Sequence, residues 1–170
     1  MSHSQRTTRE CTLAELRPEL ADAIRSYAQR QHWDNFESEI LACCETTTER
    51  ITTNRLDAWL NGSAATFSYV ALIATPQRLI WAHGSDRVRA GAASARYQEM
   101  RLKLFTPKTT EGIAVDIYGR MDGTGEKTGG RFMLDDCPAA REFCDKVKHA
   151  TAPLSLPSEE KPRRKRFRLF

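Results

Sequence analysis

The chemistry most legible in this chain lies in its last ten residues, Lys161-Pro-Arg-Arg-Lys-Arg-Phe-Arg-Leu-Phe170. Lys161, Arg163, Arg164, Lys165, Arg166 and Arg168 place six cations there with no acid among them. The whole chain carries 26 Lys and Arg against 22 Asp and Glu, so its net charge of +4 resides in this tail and the remainder is slightly acidic. A short cationic tail on a near-neutral body points to a polyanion. On an anionic lipid surface each cation would contribute about 1 kcal/mol while Phe167, Leu169 and Phe170 insert. On nucleic acid the same charges contact phosphates without reading sequence, and binding weakens with salt. Capture of the apolar end by a protein partner and a simply solvated terminus are the other two readings of residues 161–170.

Elsewhere no spacing supports catalysis. The run Gly119-Arg-Met-Asp-Gly-Thr-Gly-Glu-Lys-Thr128 has the glycines of a phosphate-binding loop, but that motif needs its last glycine directly before the lysine and a helix behind it. Here Glu126 intervenes and Gly129-Gly130 leads into a strand pattern, so a long hairpin loop is predicted. His3, His32, His83 and His149 are scattered, with no serine or cysteine placed beside them as a nucleophile. Asp135-Asp136 precedes a helix, where acids stabilise the N-terminus and can cap it. Cys11, Cys43, Cys44, Cys137 and Cys144 are odd in number and form no Cys-x-x-Cys pair, so neither a disulfide framework nor a zinc site is predicted. Trp33, Trp59 and Trp81 read as packing residues. No catalytic residue, metal or cofactor is assigned, and a non-enzymatic protein is expected; the alternative is a small enzyme whose site assembles only in three dimensions.

The elements that must carry these residues change character near Asn61-Gly62. All nine glycines, and all but one of the seven prolines, follow that point. Before it, Pro18 suits the first turn of a helix running to about Gln31, with Leu20, Ile24, Tyr27 and Ala28 on one face. Thr12-Leu-Ala-Glu15 has the form of a reciprocal capping turn. Ile40 to Thr53 supports both a helix and a strand; a strand over about Ile40 to Thr48 followed by a short helix over Arg55 to Leu60 is the reading adopted. Thr66 to Thr75 and Arg78 to His83 predict a hairpin turning at Pro76-Gln77. Further strands are predicted over Val88 to Ser94, Tyr97 to Phe105, Ile113 to Gly119 and Arg131 to Leu134. In Tyr97 to Phe105 the alternation of Met100, Leu102 and Leu104 with Arg101 and Lys103 marks one wet face. A helix follows from Cys137-Pro138, with Ala140, Phe143, Cys144 and Val147 in one stripe. Pro153, Pro157 and Pro162 with Ser155 and Ser158 predict an extended linker to the tail. The longest apolar run, Tyr69 to Ala74, is far short of a bilayer span, and residues 1 to 10 lack the apolar core of a secretory signal. A cytoplasmic protein, peripheral at a membrane if the tail binds lipid, is expected.

The stretch Tyr69-Val-Ala-Leu-Ile-Ala-Thr-Pro-Gln-Arg-Leu-Ile-Trp-Ala82 resembles bacterial PH-like domains of the pleckstrin-homology or GRAM type. The similarity runs from about Ile40 to Ala150. It implies an α+β fold, a small antiparallel β-barrel or bent sheet closed by the C-terminal helix, used for binding lipids or protein partners. The first hairpin loops lack the Lys/Arg-rich cradle of phosphoinositide-binding members. The predicted organisation is therefore an N-terminal helical segment (12–39), a PH-like domain (40–150) and a linker with a basic tail (151–170). The expected function is an adaptor or binding module that contacts an anionic surface such as membrane lipid through the tail, with nucleic acid as the alternative target.

Overall fold

A run of apolar residues too short to cross a membrane but uninterrupted for six positions must be covered on both faces, because successive strand residues point to opposite sides. In the computed structural model, which describes residues 2–52, 65–108 and 111–152, that run lies in a central strand. Its residues Ala71, Leu72, Ile73 and Ala74 are 0% exposed. Two antiparallel sheets surround it. The first has five strands in sequential order: β1 (Ser2–Glu10), β2 (Ala42–Thr52), β3 (Ala65–Ala74), β4 (Arg78–Ser85) and β5 (Val88–Arg96). The second has three: β6 (Met100–Phe105), β7 (Ile113–Arg120) and β8 (Lys127–Leu134).

Each face of the first sheet has its own cover. Helix α1 (Pro18–Arg30) buries Leu20, Ala21, Ile24, Tyr27 and Ala28 and packs chiefly on β4 and β5. It shares an apolar cluster with Cys43, Ala71, Ile73, Ile80 and Ala82. On the other face, helix α2 (Pro138–Thr151) lies over β1, β2 and β3. Its Ala140, Phe143, Cys144 and Val147 join Cys44, Leu72, Leu79, Val115, Ile117 and Leu134 in a second cluster. Both helices begin with proline in the first turn, where the missing N–H is harmless.

The β3–β4 turn is locked by one side chain. Thr75 is buried, its hydroxyl donates to the Arg78 carbonyl at 3.1 Å, and it accepts from the Arg78 N–H at 3.2 Å. Leu79 then enters the core fully, and Trp81 meets Phe132 of the second sheet with ring centroids 6.0 Å apart. The Thr12–Glu15 turn also forms, with the Thr12 N–H donating to the Glu15 carboxylate at 2.7 Å.

One strand had not been foreseen, and three expectations are corrected. Ser2 to Glu10 is a strand, paired along β2 from Ser2 opposite Thr52 to Glu10 opposite Cys44. The strand expected over Ile40 to Thr48 begins at Ala42 and runs on to Thr52, while the helix expected over Arg55 to Leu60 lies outside the described residues. Strand β8 starts at Lys127, four residues before Arg131, so both glycines at 129 and 130 are inside it. Tyr97 to Glu99 is one turn of 3-10 helix rather than strand, which buries the Tyr97 ring. Nor does a barrel close. Among the described residues no ladder joins the two sheets; at the β1 and β8 edges they are bridged by side chains instead. The buried Thr8 hydroxyl bonds that of Thr46 at 2.9 Å and accepts from the Asp135 N–H at 2.8 Å, and the Arg6 guanidinium donates to the Glu111 carbonyl at 3.0 Å.

At the opposite edge the β7–β8 loop crosses β5 to reach α1. Asp122 donates its N–H to the Ser94 carbonyl at 2.9 Å and accepts from the Ser94 hydroxyl at 2.5 Å. Tyr27 of α1 donates to the Asp122 carbonyl at 3.0 Å. Arg78 and Arg96 lie 3.5 and 3.8 Å from the same carboxylate, whose side chain is 11% exposed. Removing it leaves a buried hydroxyl and Arg78 without their acceptor. Asp122→Ala is expected to destabilise the protein by about 1–3 kcal/mol in urea unfolding, and more than Ser94→Ala.

Burial also sets an alkaline limit. It pushes the Cys144 thiol from 9.0 up to about 11, and pushes Cys44 and Tyr97 in the same direction. A folded-state pKa above the unfolded one means stability that is complete below pH 9 and is lost as pH rises towards 11. Urea midpoints are expected to fall across that window, with a shallower fall in Cys144→Ala.

Candidate functional site

The tail residues Lys161, Arg163, Arg164, Lys165, Arg166, Phe167, Arg168, Leu169 and Phe170 lie outside the described residues, as does Trp59. Of the internal candidates, Gly119 to Thr128 is divided between strand ends and a hairpin loop closed by the Met121 N–H to the Glu126 carbonyl at 3.0 Å. Asp135 and Asp136 do not cap α2. Cys137 occupies the cap position without a side-chain bond, and Asp136 pairs with Arg141 at 2.8 Å, which lowers its pKa. His83 is exposed on β4 and His149 lies in the last turn of α2. Trp33 packs edge-on against Tyr27 at 5.6 Å and under Arg78 at 4.0 Å. All five cysteines are free, with Cys11 and Cys43 in buried contact at 3.6 Å between sulfurs. Among the described residues no three His, Cys, Asp or Glu side chains converge.

Two polar clusters are internal ties. One is the Asp122 group. The other is Glu45, 3% exposed on β2, held by Arg9 at 2.8 Å and by Arg17 at 3.4 Å. These acids already have their partners, as buried charge requires. A groove of about 900 Å³ between α1 and the β4–β5 hairpin mixes Arg17, Arg30, Arg87 and Arg89 with Glu19, Asp22 and Asp86. Its Asp86 accepts from the Phe67 N–H at 3.0 Å and the Tyr69 hydroxyl at 2.8 Å, while Arg17 stacks on the Tyr69 ring at 3.7 Å. Acids stand among the arginines there, and both Asp86 and Arg17 are engaged within the protein.

The outer face of the second sheet is different. Its inner side chains fill the core, so the alternation of each strand places the others in water. On β6 these are Arg101, Lys103 and Phe105; on β7, Asp116, Tyr118 and Arg120; on β8, Lys127, Gly129 and Arg131. Register sets Arg101 opposite Tyr118 and Tyr118 opposite Gly129, with Arg120 opposite Lys127. Tyr118 is 58% exposed and Phe105 is 37%. A methyl group at Gly129 would meet the Tyr118 ring at 3.1 Å, so the absent side chain leaves room for the ring beside the backbone. At Gly119 a methyl would come within 2.5 Å of the Met100 backbone, which fixes glycine where β6 and β7 close together.

Electrostatics on this face are one-sided. Asp116 is its single carboxylate and is taken by Arg131 in a bidentate pair at 2.6 and 2.7 Å. The Arg131 guanidinium also lies 5.4 Å from the Phe105 ring. Among the described residues none of Arg101, Lys103, Arg120 and Lys127 takes part in an ion pair. A shallow groove of about 640 Å³ is bounded by Arg101, Tyr118, Arg120 and Lys127, with Glu99 at its rim. Arg101, Arg120 and Lys127, three cations without an ion pair among the described residues, can together with the exposed Tyr118 ring hold anionic groups and a flat π surface.

The wet face was visible as alternation in β6 and β7, but its third strand was hidden by the two glycines. Compared with known proteins, the chain matches no family model, no curated protein and no solved structure. Among the described residues no helix is long and apolar enough to cross a membrane.

The bidentate bond holds the Asp116 carboxyl below its usual 3.8. A depressed pKa contributes stability above the unfolded value, lost as pH falls through the folded one; on so exposed a pair the effect on stability is small. In an NMR titration the Asp116 midpoint is expected below 3.8 and to return towards it in Arg131→Ala.

Proposed function

We propose that this protein is a non-enzymatic binding module that holds a polyanion on the outer face of its second sheet, with the basic tail adding charge. The observation that carries this reading is the set of cations on three adjacent strands, Arg101, Lys103, Arg120 and Lys127, of which Lys103 faces Asp116 and the other three have no ion pair among the described residues. Surface cations in proteins usually sit among acids, and a field of one sign serves to attract the opposite one. A non-enzymatic role is supported by the buried acids Glu45 and Asp122, both engaged in holding elements together.

A PH-like architecture is part of the same proposal. It is supported by the order of elements: a four-stranded meander from β2 to β5, a three-stranded sheet from β6 to β8, then a closing helix. The Thr75 turn and the inward Leu79 and Trp81 agree with it. Strand β1 and helix α1 are then additions to that plan. The adaptor role implied by such domains would engage an unidentified protein partner elsewhere on the surface, and attachment to anionic lipid through residues 161–170 is the rival use of the charge.

Heparin affinity chromatography tests the reading. The full chain is expected to need markedly more salt for elution than a variant with Arg101→Glu and Arg120→Glu. A truncation to residues 1–160 is expected to keep part of the retention. If the double variant elutes with the full chain while the truncation elutes early, the tail alone binds and the sheet face has no such role.

A further inference from the structure

Resting on the polyanion reading, we infer that the ligand of this face is single-stranded nucleic acid, with a base stacked on Tyr118 and phosphates on Arg101, Arg120 and Lys127. A polyanion without flat rings gains nothing from an aromatic side chain at the centre of the basic face. A duplex keeps the faces of its bases stacked inside and offers none of them to an aromatic ring on a sheet. A bilayer calls for apolar groups that protrude and insert. Here the aromatic groups belong to the strands themselves: Tyr118 is paired opposite Arg101 and Gly129, and Phe105 lies beside Arg131. An unpaired strand, by contrast, offers bases and phosphates along the same path, and stacking on aromatic rings beside a basic groove is how such strands are held without sequence preference.

The geometry around Tyr118 suits one face of the ring for a base. Gly129 lets the ring lie against the β8 backbone on one side, Arg101 and Lys127 stand on the flanking strands and Arg120 on β7 itself, and the ring remains 58% exposed. The groove lined by Arg101, Tyr118, Arg120 and Lys127 gives the backbone a channel across the end of the sheet where β6 begins and β7 ends. Asp116 stays neutralised by Arg131, so it does not repel an incoming phosphate as a lone carboxylate would.

The test is fluorescence anisotropy of the full chain with a labelled oligothymidylate of about 12 nucleotides, a length within the range one small domain covers. Unlabelled competitors are inorganic polyphosphate, a hairpin duplex and phosphatidylserine vesicles. Tyr118→Ala is expected to weaken oligonucleotide binding roughly tenfold or more, Tyr118→Phe to restore it, and Arg101→Glu with Arg120→Glu to abolish it. Circular dichroism checks that the variants fold, which exposure of all three side chains favours. Undiminished oligonucleotide binding by Tyr118→Ala overturns the stacking inference. So does competition by polyphosphate, duplex or vesicles equal to that of the oligonucleotide; in both cases loss of binding in the double charge variant leaves the polyanion reading standing. Absence of binding to every probe by the unmodified chain overturns both.

Discussion

The two-sided burial of β3 is the constraint on which the other parts depend. Ala71 and Ile73 face α1, whereas Leu72 and Ala74 face the second sheet and α2. A strand with apolar groups on both sides is stable only when both are covered, and each cover comes from a different part of the chain. The segment before β2 supplies one and the segment after β5 supplies the other. Because the small residues Ala71, Ala74, Ala82 and Ala95 line the sheet, the layers approach closely and the larger side chains of the helices and of β7 fill the space.

That layering determines where the open surface lies. The first sheet has no free face at its centre, while the second has one face in the core and one in water. The two sheets are held at their margins by polar contacts of single side chains, Thr8 and Arg6 on one side and Asp122 on the other. Such bonds are directional and individually modest, but those of Thr8 and Asp122 are partly buried and therefore costly to break.

Much of this order was legible because local chemistry and tertiary packing agreed. Proline at the start of both helices, the i, i+3, i+4 stripe of α2 and the Thr75 turn each have a local cause that survives in the fold. Strand β1 was illegible because Ser2 to Glu10 is polar on both sides; what defines it is backbone pairing with β2, which leaves no mark on side-chain pattern. The basic face was half legible. Arg101 and Lys103 alternate with leucines, and Asp116 and Tyr118 alternate with core residues, but Gly129-Gly130 reads as loop until the neighbouring Tyr118 ring explains it. The convergence of cations from three strands depends on register, which spacing along one chain does not contain. The Cys11 and Cys43 contact is invisible for the same reason.

The β7–β8 loop has a consequence for how this chain can vary. Glycine-rich hairpin loops are ordinarily the places where a protein accepts extra residues, since nothing depends on their length. This one is a strap of set length: Asp122 must arrive at Ser94 and Tyr27 while the same hairpin holds Arg120 and Lys127 in register on the outer face. Lengthening it would slacken the grip on α1 and shift the basic edge together, so the segment that looks most replaceable is among the least free to drift.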